Sequence, residues 1–255
     1  MPPAQTYLNT CDDERTACGD WPRPQIDFLT LSSIGAFLNV SSSAGDPHRV
    51  MPALILIRVR IQDLYTLRNA IYKSLSVLEK GYSGTYVGIS NDAERVPPCE
   101  SQPLLNFGMG LFYFTNEADA RRFIYSDQGF LESDFLECSD MMIIPMAKPM
   151  HLNSNGTALL FTEMVRSENY CQMPPSGCTF NMEQCGAVPN IVDTIQISMV
   201  RAYEARPGGY RISQFPNKKI FYDWVKSDCG AMFRDEMCKV RSLNTYIATF
   251  TKDLF

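Results

Sequence analysis

Phe112-Tyr113-Phe114-Thr115-Asn116-Glu117-Ala118-Asp119-Ala120-Arg121-Arg122-Phe123-Ile124-Tyr125-Ser126-Asp127 is the stretch on which the fold turns. It reads as the end of a strand, Leu111 to Phe114, then a helix over Glu117 to about Tyr125. Thr115 or Asn116 supplies the side-chain oxygen that caps such a helix. Ser126-Asp127-Gln128-Gly129 reads as a helix-ending turn with glycine at positive φ.

Upstream, Ala53-Leu54-Ile55-Leu56-Ile57-Arg58-Val59-Arg60 is rich in branched residues and predicts a strand. Asp63 to Lys80 predicts a helix, because Leu64, Leu67, Ile71, Leu75 and Leu78 recur at three and four residues on one stripe. Gly81 stands where a C-terminal cap belongs. Thr85 to Ser90 predicts a second strand, followed by a polar loop holding Pro97, Pro98 and Pro103. Downstream, Met141 to Met146 predicts a fourth strand. The order is β-α-β-β-α-β, a split βαβ ferredoxin-like unit.

The second half reads as the same plan. Shifted by 101 residues, 108–135 matches 209–236 at seven of 28 positions: Gly108/Gly209, Phe114/Phe215, Asn116/Asn217, Ser126/Ser227, Asp127/Asp228, Gly129/Gly230 and Asp134/Asp235. These are strand-end, cap and turn positions, where a fold constrains residue type. Strands are expected at Thr157 to Val165, Ile195 to Tyr203, Tyr210 to Phe215 and Asn244 to Phe250, with a helix over Lys218 to Lys226 started by Asn217. The first helix has no clear counterpart. Its place, about 167–193, is rich in cysteine and proline. The expected organisation is an irregular arm over residues 1–50, one unit over 51–150, and a second over 151–255 carrying that insertion.

The strand, cap, helix and turn at 112–127 resemble the dimeric α+β barrel superfamily, and most of all a small-domain family of unassigned function within it. A strand ending in an aromatic, a helix with an acidic start, and an aromatic before a Ser-Asp turn carry the likeness. The resemblance implies an α+β fold in which two tandem ferredoxin-like units pair their sheets into an intramolecular barrel. The superfamily includes cofactor-free monooxygenases, haem enzymes, lactone isomerases and members without known activity, so the fold implies no single function.

Composition narrows the choice. Apolar residues make up 45% and charged residues 20%, an ordinary folded chain. The formal net charge of −5 disfavours a broad basic face, so no nucleic-acid partner is expected. The apolar run Ile26 to Val40 is interrupted by Asp27, Ser32, Ser33 and Asn39 and is too short to span a bilayer, so no membrane partner is expected. Nine cysteines with no convincing signal peptide predict free thiols in the cytoplasm, with secretion left open.

Candidate chemistry is sparse. Only His48 and His151 exist, and His151, after the fourth strand, is the weak candidate for acid-base work. Cys171, Cys178 and Cys185 recur at sevens, not at metal-ligand spacing, so neither a metal nor a cofactor is expected. Gly108-Met109-Gly110 precedes a strand and is no phosphate cradle. The expected function is binding of a small apolar molecule between the sheets, by a monomer or homodimer. A cofactor-independent monooxygenase or isomerase is the alternative, and a protein-interaction module the third reading.

Overall fold

The computed structural model describes residues 51–96, 106–126, 138–153, 156–164, 181–203, 206–239 and 243–252. All belong to one compact unit, Arg49–Phe255. The expected arm at 1–50 and residues 165–180, which include the first part of the insertion expected at about 167–193, lie outside the described residues.

The first half contributes β1 (Ala53–Arg60), α1 (Leu64–Gly81), β2 (Gly84–Ser90), β3 (Glu94–Arg95), β4 (Phe107–Phe114), α2 (Glu117–Ser126) and β5 (Asp140–Pro145). The second contributes β6 (Thr157–Met164), a 3₁₀ turn (Met182–Cys185), β7 (Val188–Thr194), β8 (Ser198–Arg201), β9 (Gly209–Phe215), α3 (Lys218–Val225), α4 (Asp228–Lys239) and β10 (Leu243–Phe250). They form two five-stranded sheets, in the orders β2-β4-β1-β5-β8 and β3-β10-β6-β9-β7. Apart from β8 in the first sheet and β3 in the second, the four strands of each sheet follow the ferredoxin-like order, and every described pairing is antiparallel.

Burial explains why β1 and β6 read as nearly continuous apolar runs. Each is covered on both faces. Ala53, Ile55, Ile57 and Val59 pack under α1 and α2. Leu54 and Leu56 face the opposite sheet, where Leu159, Phe161, Tyr210 and Tyr246 meet them. Ala158, Leu160 and Met164 pack under α3 and α4. Helices therefore cover the outer faces, and a third apolar cluster lies between the sheets. Inside it the Phe161 and Tyr246 rings stack with centroids 4.9 Å apart.

The two sheets are joined along both seams. On one, Ile89 and Thr251 exchange backbone hydrogen bonds of 2.9 and 3.0 Å. On the other, the Ala147 and Lys148 amides donate to the Ile191 carbonyl at 2.9 and 3.2 Å. Each half also lends an edge strand to the other sheet. β3 leaves the first half to pair with β10, and β8 leaves the second to pair with β5. The fold is α+β, an α+β barrel closed within one chain.

Lent strand β3 is fastened by charge. Lys218 Nζ lies 2.6 Å from Asp92 Oδ2 and 2.7 Å from Glu94 Oε1, and the Tyr222 hydroxyl also donates to Glu94. Burial alone would raise both carboxyls. Lys218 outweighs it, helped by the Thr249 amide and Ser90 at Asp92 and by Tyr222 at Glu94, so both stay below their ordinary values. Depressed carboxyls stabilise the fold above the unfolded-state range, near pH 4, and that stabilisation is lost as pH falls through the folded values. Urea midpoints measured from about pH 5 to about pH 3 should therefore fall less steeply in Lys218→Met than in the wild type. Equal slopes would show that the contact does not survive in solution.

Several expectations are corrected here. The second strand of the second half is Val188–Thr194, not 195–203. Pro189 and Asn190 interrupt its ladder, where the register shifts between Val188 and Val192, and this disguised it as insertion. The segment read as that strand holds β8, which belongs to the other sheet. Gly81 is the last helical residue and has no positive φ; extended Tyr82 ends the helix. Ser227-Asp228-Cys229-Gly230 does not merely end a helix. Ser227 accepts the Gly230 amide at 3.3 Å and starts α4, which the sequence reading lacked. Gly230 is glycine because a Cβ there would lie 2.2 Å from the Trp224 carbonyl oxygen. The matching turn at 127–129 lies outside the described residues.

Candidate functional site

Strand parity builds an unusual centre at one end of the inter-sheet space. On β1 the inward positions run Leu54, Leu56, Arg58, and on β6 they run Leu159, Phe161, Glu163. Arg58 sits opposite Met109 on β4 as Glu163 sits opposite Tyr210 on β9, so the two charges occupy corresponding positions of the two sheets. They meet. Arg58 Nη1 donates to Glu163 Oε2 at 2.7 Å, with both side chains buried at 6% and 7% exposure.

Two phenols complete the arrangement. Tyr210 on β9 donates to the same Glu163 oxygen at 3.0 Å, and Tyr246 on β10 at 3.4 Å. Asp140 approaches Arg58 Nε at 3.9 Å, and the guanidinium lies 5.5 Å from the centroid of the Phe107 ring. Arg58 Nη2 is buried and has no hydrogen-bond acceptor in the structure.

The electrostatics keep the phenols neutral and the guanidinium charged. Burial, above all, pushes the Tyr210 and Tyr246 hydroxyls well up, and Glu163 adds to it. Burial alone would push Arg58 down, but Tyr210, Glu163, Tyr246 and Asp140 together outweigh it and hold it well above its ordinary value. Chemically, the centre offers a carboxylate oxygen with three donors converging on it, and one unused N–H nitrogen in a dry, aromatic setting.

No residue of this centre was among the sequence candidates. The signal was there: Arg58 follows the inward Leu54 and Leu56 on its strand, as Glu163 follows the inward Leu159 and Phe161 on its own. His151 is elsewhere. Its side chain is exposed, and its peptide N–H donates to Gln214 Oε1 at 3.0 Å while its carbonyl accepts from the same amide. Gln214 is four residues along β9 from Tyr210, about 13 Å at strand rise. The structure therefore does not bring His151 to the polar centre. His48, Cys11, Cys18, Cys99, Cys171 and Cys178 lie outside the described residues.

Cys138, Cys185 and Cys229 are free thiols. Cys185 and Cys229 line a surface cleft of about 430 Å³ between the 3₁₀ turn and α3–α4. A second cleft, of about 440 Å³, lies beside Tyr72, Leu78, Tyr86 and Lys252. Among the described residues no group of three or more metal-ligating side chains converges, and no helix is long and apolar enough to cross a membrane.

No protein-family model matches the chain, and no curated protein matches it in sequence. Among the solved structures similar to it are the following three. A protein of Fusobacterium nucleatum named as a candidate monooxygenase is 11% identical, over 80% of this chain and 93% of that one, at a TM-score of 0.42. An anthrone oxidase-like protein is 8% identical, over 79% and 92%, at 0.39. A variant of chlorite dismutase from Candidatus Nitrospira defluvii is 6% identical, over 79% and 91%, at 0.39. The chain's own strand order and register identify it as an α+β barrel of two facing antiparallel sheets.

Proposed function

We propose that this chain binds a small, largely apolar molecule between its sheets, at the end marked by Arg58, Glu163, Tyr210 and Tyr246. One observation carries the reading: hydrogen-bonding groups are concentrated at one end of an otherwise apolar inter-sheet cluster. A ligand site needs an apolar lining with a few convergent polar groups that fix orientation. The middle of the cluster is filled by buried side chains such as Leu56, Phe161 and Ile212. This favours the polar end over the fully apolar seat that the sequence suggested. The two halves act as repeats of one unit whose facing positions have diverged, so one chain carries one such centre.

Native mass measurement of the protein isolated from its own cells tests this. The expected result is an excess of a few hundred daltons that disappears on denaturation, and that is absent from R58M/E163Q. An excess unchanged in that variant would place the ligand elsewhere.

A second reading, a cofactor-independent monooxygenase or isomerase, is favoured by Glu163 itself. A buried carboxylate that accepts hydrogen bonds from two phenols is the kind of positioned group that general acid-base chemistry uses. The molecule released in the mass experiment is its natural test substrate. Turnover that is lost in Glu163→Gln while binding persists would select this reading, and binding without turnover would discard it.

A further inference from the structure

Strand β8 belongs to the second half but completes the first sheet, and its path runs past the polar centre. Thr194, the last residue of β7, lies opposite Tyr210. A tight turn follows: the Gln196 amide donates to Thr194 Oγ1 at 2.9 Å, and the Ile197 amide to the Ile195 carbonyl at 3.1 Å. The chain returns as β8 along β5, with Met199 opposite Met142 and Arg201 opposite Met141, the residue after Asp140. It therefore crosses from one sheet to the other beside Tyr210 and Asp140. Ile197 and Met199 face the inter-sheet cluster, while Val200, the extra residue of a bulge, packs on the helix side.

Little fastens this strand. Its four residues are half-buried, whereas β1 and β5 are almost wholly buried. Arg121 Nη2 donates to Ser198 Oγ at 2.8 Å, and the Tyr203 amide to Asp140 Oδ1 at 2.7 Å. Arg60 Nη2 donates to the Tyr203 hydroxyl at 2.7 Å, with the guanidinium 5.2 Å from the ring centroid. The two arginine bonds are exposed, so water can replace them.

We infer that β8 is a strap, which swings away from β5 about the turn at Thr194–Ile197 while the rest of the barrel stays folded. Its opening exposes the inter-sheet space to a small molecule beside the polar centre. The use of that opening for a ligand rests on the proposed binding reading. A short, bulged edge strand with half-buried side chains and wet tethers sits at the low end of local opening free energies. β8 is the last strand of its sheet, so its departure breaks no pairing among β1, β2, β4 and β5. Elsewhere helices cover the outer faces, and Ile89 and Thr251 bond the far seam. Asp140 belongs to both devices. One carboxylate oxygen holds the strap at Tyr203, and the other stands 3.9 Å from Arg58 Nε.

Thiols placed inside the barrel read the opening. Met142→Cys puts one beside Met199 under the strap. Leu159→Cys puts one in the same cluster on β6, the central strand of the other sheet. Both native side chains are fully buried. Each full-length variant would be treated with N-ethylmaleimide, and modification at the introduced position followed by peptide mass. Met142→Cys is expected to react at least about tenfold faster than Leu159→Cys, because one needs local opening and the other global unfolding. Its rate should rise little in dilute urea, since a local opening exposes little surface. In the wild-type protein, the amides bonding β8 to β5 should exchange with solvent at least about tenfold faster than those of β1. Equal modification of the two variants overturns the strap, as does exchange of β8 at the rate of β1. Native mass separates this inference from the binding reading. Fast modification of Met142→Cys in a protein that carries no bound molecule leaves the strap standing and discards the binding reading. A bound molecule together with equal modification does the reverse.

Discussion

Replacing Arg58 with methionine is expected to lower the stability of the barrel by about 3–5 kcal/mol, the usual cost of removing one partner from a buried ion pair. Glu163 would keep Tyr210 and Tyr246 as donors at 3.0 and 3.4 Å, but it would lose the 2.7 Å bond to the guanidinium and the compensating charge. Asp140 would lose its nearby cation as well. The loss corresponds to a fall of about 6–20 °C in thermal midpoint for a unit of this size. Three further variants separate charge from shape. R58M/E163Q should recover a large part of the loss, because replacing both members of a buried pair is far milder than orphaning one. R58E should be worse than R58M, because it gathers three carboxylates, and R58E/E163R should regain stability relative to it. Urea unfolding of the four variants reads the result. If R58M unfolds within about 1 kcal/mol of the wild type, the guanidinium is solvated and the centre is not the dry site described here.

The pair also bears on how the two halves recognise each other. In two identical units, corresponding positions would hold identical residues and two like charges would meet. Here position 58 holds arginine and its counterpart 163 holds glutamate. At this point the charge of the first half is therefore complementary to that of the second. Buried polar pairs can specify such pairing in other systems; in this chain, R58E against R58E/E163R tests whether it does.

Much of this fold was legible in the sequence because the deciding signals are local. The stripe of Leu64, Leu67, Ile71, Leu75 and Leu78 and the Asn217 cap, which accepts the Ile220 amide at 2.9 Å, each depend on residues within one element. The matched strand ends at Phe114 and Phe215 likewise lie opposite Ala53 and Ala158 in the two sheets. What was missed depends on partners far along the chain. Two-residue β3 is a strand only because β10 lies beside it, with Ile247 opposite Glu94. Four-residue β8 is placed by β5, not by its own pattern. The polar centre joins residues 58, 140, 163, 210 and 246, no two of them in one element. Inward parity marks each of Arg58 and Glu163 as odd, but only the facing of the sheets shows that they meet.

Gly88→Ala should cost about 2–6 kcal/mol, and the reason lies in the seam rather than in any side-chain contact. Gly88 has φ +152°, a conformation open to glycine and strained for any other residue, at about 1–3 kcal/mol. A Cβ there would lie 2.6 Å from the Thr251 carbonyl oxygen and 2.7 Å from its amide nitrogen. Backbone cannot rotate away as a side chain does, so the overlap adds about 1–3 kcal/mol of overpacking. Thr251 is also the residue whose two hydrogen bonds with Ile89, at 2.9 and 3.0 Å, join the sheets along this edge. Relieving the overlap requires moving β2 and the end of β10 apart, which breaks those bonds. The variant should therefore lose amide-exchange protection first at Ile89 and Thr251, before the apolar strands β1 and β6. Gly81→Ala is the matched control. A Cβ at Gly81 meets nothing within 4 Å, its φ is not positive, and it closes α1. Alanine there should be neutral or stabilising by up to about 1 kcal/mol. Equal stability of the two variants would mean that the seam at Ile89 and Thr251 is not formed, and the two sheets would then be held together by the Ile191 seam and the core between them.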